Sequence, residues 1–210
     1  MPRGDEVVAP EHLFIVDSIP EGARVLDLGC GTGTLLAMLA DRKGARGTGI
    51  EIVEERVYEA AAHGVTVHHG DFTEVLPYYP GSSFDYVVLS QTLQQAHDTL
   101  SVLNEALRVG RYVVASFPNF GHWKARLQLL LTGRVPVTDA LPYEWYDTPN
   151  VRSLTIKDFR SFVSEHELRI VRSFFTGEHD RVRFWPNLRA VDALFVIERR
   201  APAASNGALQ

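Results

Sequence analysis

Cysteine is nearly absent: Cys30 is the single one in 210 residues, so no disulfide can close within the chain and no thiolate cluster can hold a metal. The eight histidines include no H-x-x-x-H pair. His97, His122, His166 and His179 stand at no metal-ligand spacing, and the adjacent His68 and His69 would face opposite sides of a strand. No metal site is expected. Wholly apolar runs fall far short of the roughly 20 residues a membrane helix requires, so no membrane partner is expected. Positive charge is also short, with 21 Lys and Arg against 26 Asp and Glu and a net charge of −5. A nucleic-acid partner would normally leave a basic footprint, and none is expected. Around Asp5, Glu6 and Glu11 the basic-then-apolar order of a signal peptide is missing, which points to a cytoplasmic protein. The length suits one domain over residues 1–200 with a full core, and the small, polar stretch 201–210 reads as a disordered tail.

What the chain does have is glycine where a backbone must turn sharply. Val25-Leu26-Asp27-Leu28-Gly29-Cys30-Gly31-Thr32-Gly33 reads as a buried parallel strand running into a tight turn and then a helix from Thr34. Side-chain atoms there would block a ligand from lying against the backbone. Free loop amides and the positive end of the helix would favour an anion. A second apolar strand, Arg46 to Ile52, carries Glu51 near its end, placed to accept hydrogen bonds from both hydroxyls of a ribose. The pattern describes a nucleoside site. A dinucleotide fingerprint requires G-x-G-x-x-G, but here the third glycine comes one residue early and Thr34 takes the expected place. Within the turn, Cys30 has no basic neighbour in sequence, so packing suits it better than nucleophilic chemistry.

The block Asp27-Leu28-Gly29-Cys30-Gly31-Thr32-Gly33 resembles the first motif of class I S-adenosylmethionine-dependent methyltransferases. That resemblance implies an α/β, Rossmann-like class I methyltransferase fold, with a seven-stranded, mostly parallel sheet and helices on both faces. It implies that the glycine loop meets the methionine part of S-adenosylmethionine (or S-adenosylhomocysteine) and that the acid after the second strand binds ribose. A further acid after the third strand lies near the adenine, and Asp71 in Val65–Phe72 supplies it. The candidate cofactor-binding set is therefore Asp27, Gly29, Cys30, Gly31, Gly33, Glu51, Ile52, Asp71, Phe72, Ser90 and Gln91. In amino-methylating members an N/D-P-P-Y/F type motif follows the fourth strand and holds the target nitrogen. This chain has Leu89-Ser90-Gln91-Thr92-Leu93-Gln94-Gln95 instead, so methylation of that type is not expected. Gln91 and Gln94 either orient the cofactor or a small polar ligand, or cap the helix that follows.

Strand-like and helix-like segments alternate from Arg24 to Phe117, the mark of a parallel sheet with helical crossovers. Strands are expected at Arg24–Leu28, Arg46–Ile52, Val65–His69, Phe84–Ser90, Arg111–Phe117, Leu168–Phe175 and Ala190–Arg199, the last pair joined by a short connection. Helices are expected at Glu11–Ile19, Thr34–Arg42, Glu54–His63, Asp98–Arg108 and Leu154–His166. Asp98 and Thr99 are the capping candidates for the fourth of these. The interval at about 118–150 is too long for an ordinary loop and reads as an insertion, with an apolar helix through Leu131. It serves as a lid, as a docking surface for another protein, or as internal packing. His122, beside Asn119 and Trp123, is the one histidine nominated as a general base, against a plain structural role.

Three further segments narrow the resemblance: Ser83–Gln94, Ser116-Phe117-Pro118-Asn119-Phe120-Gly121-His122-Trp123, and Leu141-Pro142-Tyr143-Glu144-Trp145-Tyr146-Asp147-Thr148-Pro149-Asn150. With Arg24–Gly31 and Gly49–Ile52 they resemble the methionine biosynthesis protein MetW family, from about Ile19 to Phe175. The resemblance implies a role in making methionine beside a homoserine O-acyltransferase, the enzyme that activates the homoserine hydroxyl. It does not imply a methylation reaction. The alternative is an active small-molecule or carboxyl methyltransferase.

Overall fold

The computed structural model describes residues 10–178 and 180–200; His179 and the expected tail at 201–210 lie outside the described residues. The chain runs α1 (Pro10–Ser18), β1 (Arg24–Leu28), α2 (Thr34–Lys43), β2 (Arg46–Glu51), α3 (Glu54–Ala62), β3 (Thr66–His69), α4 (Phe72–Val75) and β4 (Phe84–Ser90). It continues through α5 (Thr99–Val109), β5 (Gly110–Pro118), α6 (Trp123–Thr132), α7 (Ile156–Glu165), β6 (Leu168–Thr176), α8 (Pro186–Arg189) and β7 (Asp192–Arg199). Seven strands form one sheet in the order β3-β2-β1-β4-β5-β7-β6. The first five are parallel, and β7 enters antiparallel between β5 and β6.

Alternation along each strand divides the core in two. Leu26, Leu28, Val87, Leu89, Val113 and Phe117 face the side covered by α5 and α7, where Leu103, Ala106, Phe159 and Val163 meet them. Val25, Val88, Val114, Leu194 and Val196 face Ile15 of α1 and Leu36 and Leu39 of α2. Asp27 shares the face of Val25, which puts a carboxyl group into this second apolar layer.

Helix ends follow local chemistry. Asp98 accepts the Ser101 amide at 3.0 Å and caps α5. Thr155 and Asp158 cap α7 reciprocally, with Thr155 Oγ1 accepting the Asp158 amide and donating to its carboxylate. Gly44, at φ 57°, ends α2 in the left-handed region. Among the described residues no helix is long and apolar enough to cross a membrane.

Two expectations need correction. The link between β6 and β7 is not short: residues 177–191 form a bridge between Thr176 and Arg181 and then α8, so β7 begins at Asp192 rather than Ala190. Neither Gln91 nor Gln94 caps α5, because Asp98 does. Their side chains bond elsewhere, as described next.

Candidate functional site

The carboxyl ends of the parallel strands β1 to β4 open into one cleft of about 670 Å³. Gly29 leaves β1 there, Glu51 ends β2, Asp71 follows β3, and Ser90 and Gln91 finish β4. A groove of about 820 Å³ lies at the opposite edge, walled by Arg24, Arg46, Thr66 and Phe84, the first residues of the same strands. Open α/β sheets bind ligands at the carboxyl edge, because crossover turns there free the chain to meet a ligand. The smaller cleft is therefore the candidate site.

Glu51 organises it. Its buried carboxylate accepts the Gly31 amide at 2.8 Å on Oε2, and the Ile52 and Val53 amides at 3.0 and 2.9 Å on Oε1. The glycine loop is thereby fastened to the end of β2. This narrows one expectation: four of the loop amides, those of Gly29, Cys30, Gly31 and Gly33, are already spent within the protein and are not offered to an anion. Gly29 and Cys30 donate to the Ile50 carbonyl, Gly31 to Glu51, and Gly33 to the Cys30 carbonyl. A pyrophosphate would need those donors. With two donors on Oε1 and one on Oε2, the carboxylate keeps acceptor capacity for one ribose hydroxyl without displacing a backbone bond, rather than for both.

Asp27 lies beneath the loop and does not wall the cleft. It is fully buried, and its Oδ1 has no hydrogen bond from the protein. Burial first, and the Glu51 charge second, push its carboxyl up to about 7. A buried acceptor without a donor is costly, and a ligand ammonium group would satisfy it. The same surroundings raise the Cys30 thiol to about 12, chiefly through burial. Cys30 is packing: a Cβ on Gly49 would sit 2.3 Å from its sulfur. The three loop glycines divide their work. Gly29, Gly31 and Gly33 all have positive φ, at 76°, 56° and 77°. A Cβ on Gly33 would press on Ala60 at 3.0 Å, and one on Gly29 on Thr92 at 3.0 Å, whereas one on Gly31 would meet nothing within 4 Å. Space is therefore left beside Gly31 alone.

Ile52, exposed beside Glu51, and Phe72 give the cleft apolar walls of the kind a purine ring needs. Asp71 caps α4: its Oδ1 accepts both the Thr73 amide and the Thr73 hydroxyl at 2.7 Å. These features fit an adenosyl ligand carrying an amino-acid tail. Glu51 would hold the ribose, Ile52, Phe72 and Asp71 would flank the adenine, and Asp27 would lie toward the amino group.

After β4 the chain turns through Gln91, which takes φ 55°, a left-handed conformation uncommon for a side chain with a Cβ. Hydrogen bonds hold it there. The Gln91 amide donates to the Ser116 carbonyl and hydroxyl, its side chain donates to Asp192, and the Gln94 and Gln95 side-chain amides both donate to its carbonyl. This turn is what the S-Q-T-L-Q-Q run builds. His122 lies buried at the start of α6 against the Trp123 ring and does not wall the cleft. Burial holds its imidazole below the usual range. Sequence reading missed Val53, Arg56, Gln95, His97, Ser101 and Val102, which also wall the cleft. Their positions after β2 and before and within α5 were the available signal. Among the described residues no group of three or more His, Cys, Asp and Glu could hold a metal.

The family profile described as "Methionine biosynthesis protein MetW" matches residues 9–197. A "Bifunctional methionine biosynthesis protein MetXA/MetW" of Rhodopirellula baltica is 35% identical over 198 residues, covering 88% of this chain and 32% of its own length. A "Demethylmenaquinone methyltransferase" of Listeria monocytogenes is 36% identical over 121 residues, half of each chain. The chain thus spans about a third of the first relative and half of the second. Among solved structures, a SAM-dependent methyltransferase from Archaeoglobus fulgidus superposes with a TM-score of 0.66 at 16% identity, covering 94% of this chain and 96% of that one. At that identity the likeness concerns the fold, which is that of class I S-adenosylmethionine-dependent methyltransferases.

Proposed function

The chain belongs to the methionine biosynthesis protein MetW family, and from that premise we propose that it binds S-adenosylmethionine and acts as a regulatory partner of homoserine O-acyltransferase. The observation that carries this reading is the turn after β4. Where an amino-methylating enzyme would present a target nitrogen, the Gln94 and Gln95 side-chain amides are spent on the Gln91 carbonyl and Gln91 on Ser116 and Asp192, while the buried Gln94 Oε1 keeps no hydrogen bond. The cleft keeps its ligand-holding groups and lacks a recognisable acceptor clamp. Binding the pathway's end product at such a site would let the cell's methionine supply be read by the enzyme that commits homoserine to it. The fused Rhodopirellula relative supports the partnership, because its name joins MetXA and MetW in one bifunctional protein. Calorimetric titration with S-adenosylmethionine, repeated with the acyltransferase present, tests both parts, alongside acyltransferase rates with and without this chain. Binding together with a changed rate is expected. Absence of binding removes the cofactor reading, and an unchanged rate with no complex removes the partnership.

One observation favours the alternative, a small-molecule or carboxyl methyltransferase. A groove of about 730 Å³ between the start of α5 and α7 shares His97 and Asp98 with the cleft and has room for an acceptor. S-adenosylhomocysteine formation from a metabolite pool would establish that reaction.

A further inference from the structure

The turn after β4 leaves one polar atom unanswered, and that atom borders a second hollow. Gln94 is buried, at 4% exposure, and walls the groove between the start of α5 and α7 rather than the cofactor cleft. Its side-chain nitrogen is spent on the Gln91 carbonyl at 2.9 Å, while its Oε1 receives no hydrogen bond from the protein. The nitrogen and oxygen of an amide diverge, so this oxygen is turned away from the Gln91 carbonyl. Buried acceptors are normally satisfied, and a donor from outside the chain belongs there.

Long-range hydrogen bonds build the groove. The Gln94 carbonyl accepts the Val151 and Arg152 amides at 3.0 Å each, and the Arg152 guanidinium donates to the His97 carbonyl. The far end of the 118–150 insertion is thereby fastened against the turn, which brings Arg152 to the rim beside α5. Leu93 and Phe159, both buried, and the half-buried Leu154 and Phe162 supply an apolar floor. Asp98, Asp158 and Glu165 set three carboxylates around it against the single guanidinium of Arg152. Asp98 gives one oxygen to the Ser101 amide, and Asp158 gives one to the Thr155 hydroxyl. A row of acids by itself is only a solvated edge. The buried Gln94 oxygen is the independent sign of a ligand, and it calls for what the acids call for, a donor group of positive charge. Arg152 calls for the opposite. A guanidinium carries several N–H donors in a planar fork that suits a carboxylate, and the His97 carbonyl takes only part of that capacity.

We infer that this groove binds a free α-amino acid, its ammonium group directed to Gln94 Oε1 and the acids, its carboxylate to Arg152, and an uncharged side chain to the apolar floor. The assignment stands on the groove's own residues, whereas its consequence rests on the cofactor reading proposed above. His97 and Asp98 wall both the groove and the cofactor cleft, so an occupant of one touches residues that meet the other. Coupling of this kind is reciprocal: the amino acid and S-adenosylmethionine alter each other's affinity by the same factor.

Calorimetric titration of the full chain with L-serine, L-homoserine and L-methionine, before and after saturation with S-adenosylmethionine, tests the assignment. At least one of the three is expected to bind in both conditions, with a different affinity in each. Propionate, which lacks the ammonium group, and ethanolamine, which lacks the carboxylate, should bind about tenfold more weakly or worse. Arg152→Ala and Glu165→Gln alter exposed side chains, and Gln94→Met removes the unanswered oxygen at similar volume. Thermal melts and S-adenosylmethionine titration check that each variant stays folded and ligand-competent. Arg152→Ala and Gln94→Met should each weaken the amino acid about tenfold or more, and Glu165→Gln should weaken it less. No binding by any of the three amino acids overturns the groove, as does unchanged affinity in both Arg152→Ala and Gln94→Met. Affinity that falls without limit as S-adenosylmethionine rises places the amino acid in the cleft and also overturns it. Affinity unmoved by S-adenosylmethionine overturns the coupling. Amino-acid binding by a chain that fails to bind S-adenosylmethionine sustains the groove and removes the cofactor reading.

Discussion

Replacing Asp27 by Asn separates the cost of a buried carboxylate from its use. The carboxyl titrates near 7 in the folded chain against 3.8 for the ordinary group. Below 3.8 both folded and unfolded chains carry the proton, and the group contributes no pH dependence. Between 3.8 and about 7 the unfolded chain has lost a proton that the folded chain still holds, so native stability falls as pH rises. Above about 7 the penalty is complete. At about 1.4 kcal/mol per pH unit, the interval from 3.8 to about 7 corresponds to roughly 4 kcal/mol. Asn does not titrate, so Asp27→Asn should gain on the native chain by roughly 3 kcal/mol between pH 4.5 and pH 8. For a domain of this size that is about 6–12 °C in melting temperature. An unpartnered amide has its own burial cost of about 1–3 kcal/mol, which shifts the whole difference but not its slope. Asp192 is also raised, to about 6, mainly by burial, and cancels because both proteins contain it. Melts of the two proteins across this range give the answer. A difference that stays flat with pH would refute the buried, charge-penalised state of Asp27. If the amino group of S-adenosylmethionine answers the free Oδ1, the same variant should bind that ligand less tightly while melting higher at pH 8.

Three other outcomes are expected. Glu51→Gln keeps an oxygen for part of the loop but sets a donor against the Gly31 amide and removes the charge. Affinity for S-adenosylmethionine should fall about tenfold to 150-fold, at roughly 1.5–3 kcal/mol for the one charge-assisted ribose bond, and unchanged calorimetry would mean that the ribose assignment is wrong. Gly49→Ala should cost about 1–3 kcal/mol by overpacking against Cys30, whose sulfur would lie 2.3 Å from the new Cβ. Pairing it with Cys30→Gly, which removes both the sulfur and the Cβ at 2.8 Å, should restore part of the loss in urea unfolding, and no recovery would refute the packing role of Cys30. Asn119→Ala strands the Gly121 and Ile156 amides in the interior and should destabilise the chain by about 3 kcal/mol or more. A change below about 1 kcal/mol would show that the stretch after β5 is held by other contacts.

Most strands were readable as apolar-rich runs between turn residues, whereas β2 (RGTGIE) and β3 (TVHH) were legible only from the alternation of strand-like and helix-like segments around them; β1 and β4 match residue for residue, and the other strand ends agree within two. Four short helical segments, α4, Leu76–Tyr78, Leu93–Gln95 and α8, were not, since stretches of three or four residues carry no period to read. α6 was legible as a helix but not as an exposed one. Its leucines read equally well as core or surface, and only the position of the sheet and α7 leaves them outside. The motif residues were legible in identity and only partly in role. Gly31 and Gly33 look alike in sequence, yet one borders open space and the other a neighbouring helix.

Read alone, the amino-acid order settles the elements, the glycine turn and the acids at the strand ends, because turning, alternation and helix capping are local matters of backbone geometry and side-chain type. Only the folded chain decides what those groups touch. It ties the Glu51 carboxylate to an amide twenty positions earlier, leaves Asp27 without a donor, and gathers Asn119, Arg126 and Asn187 into one corner. Hydrogen bonds and burial depend on distance in space, and distant stretches of chain come together only when the sheet assembles.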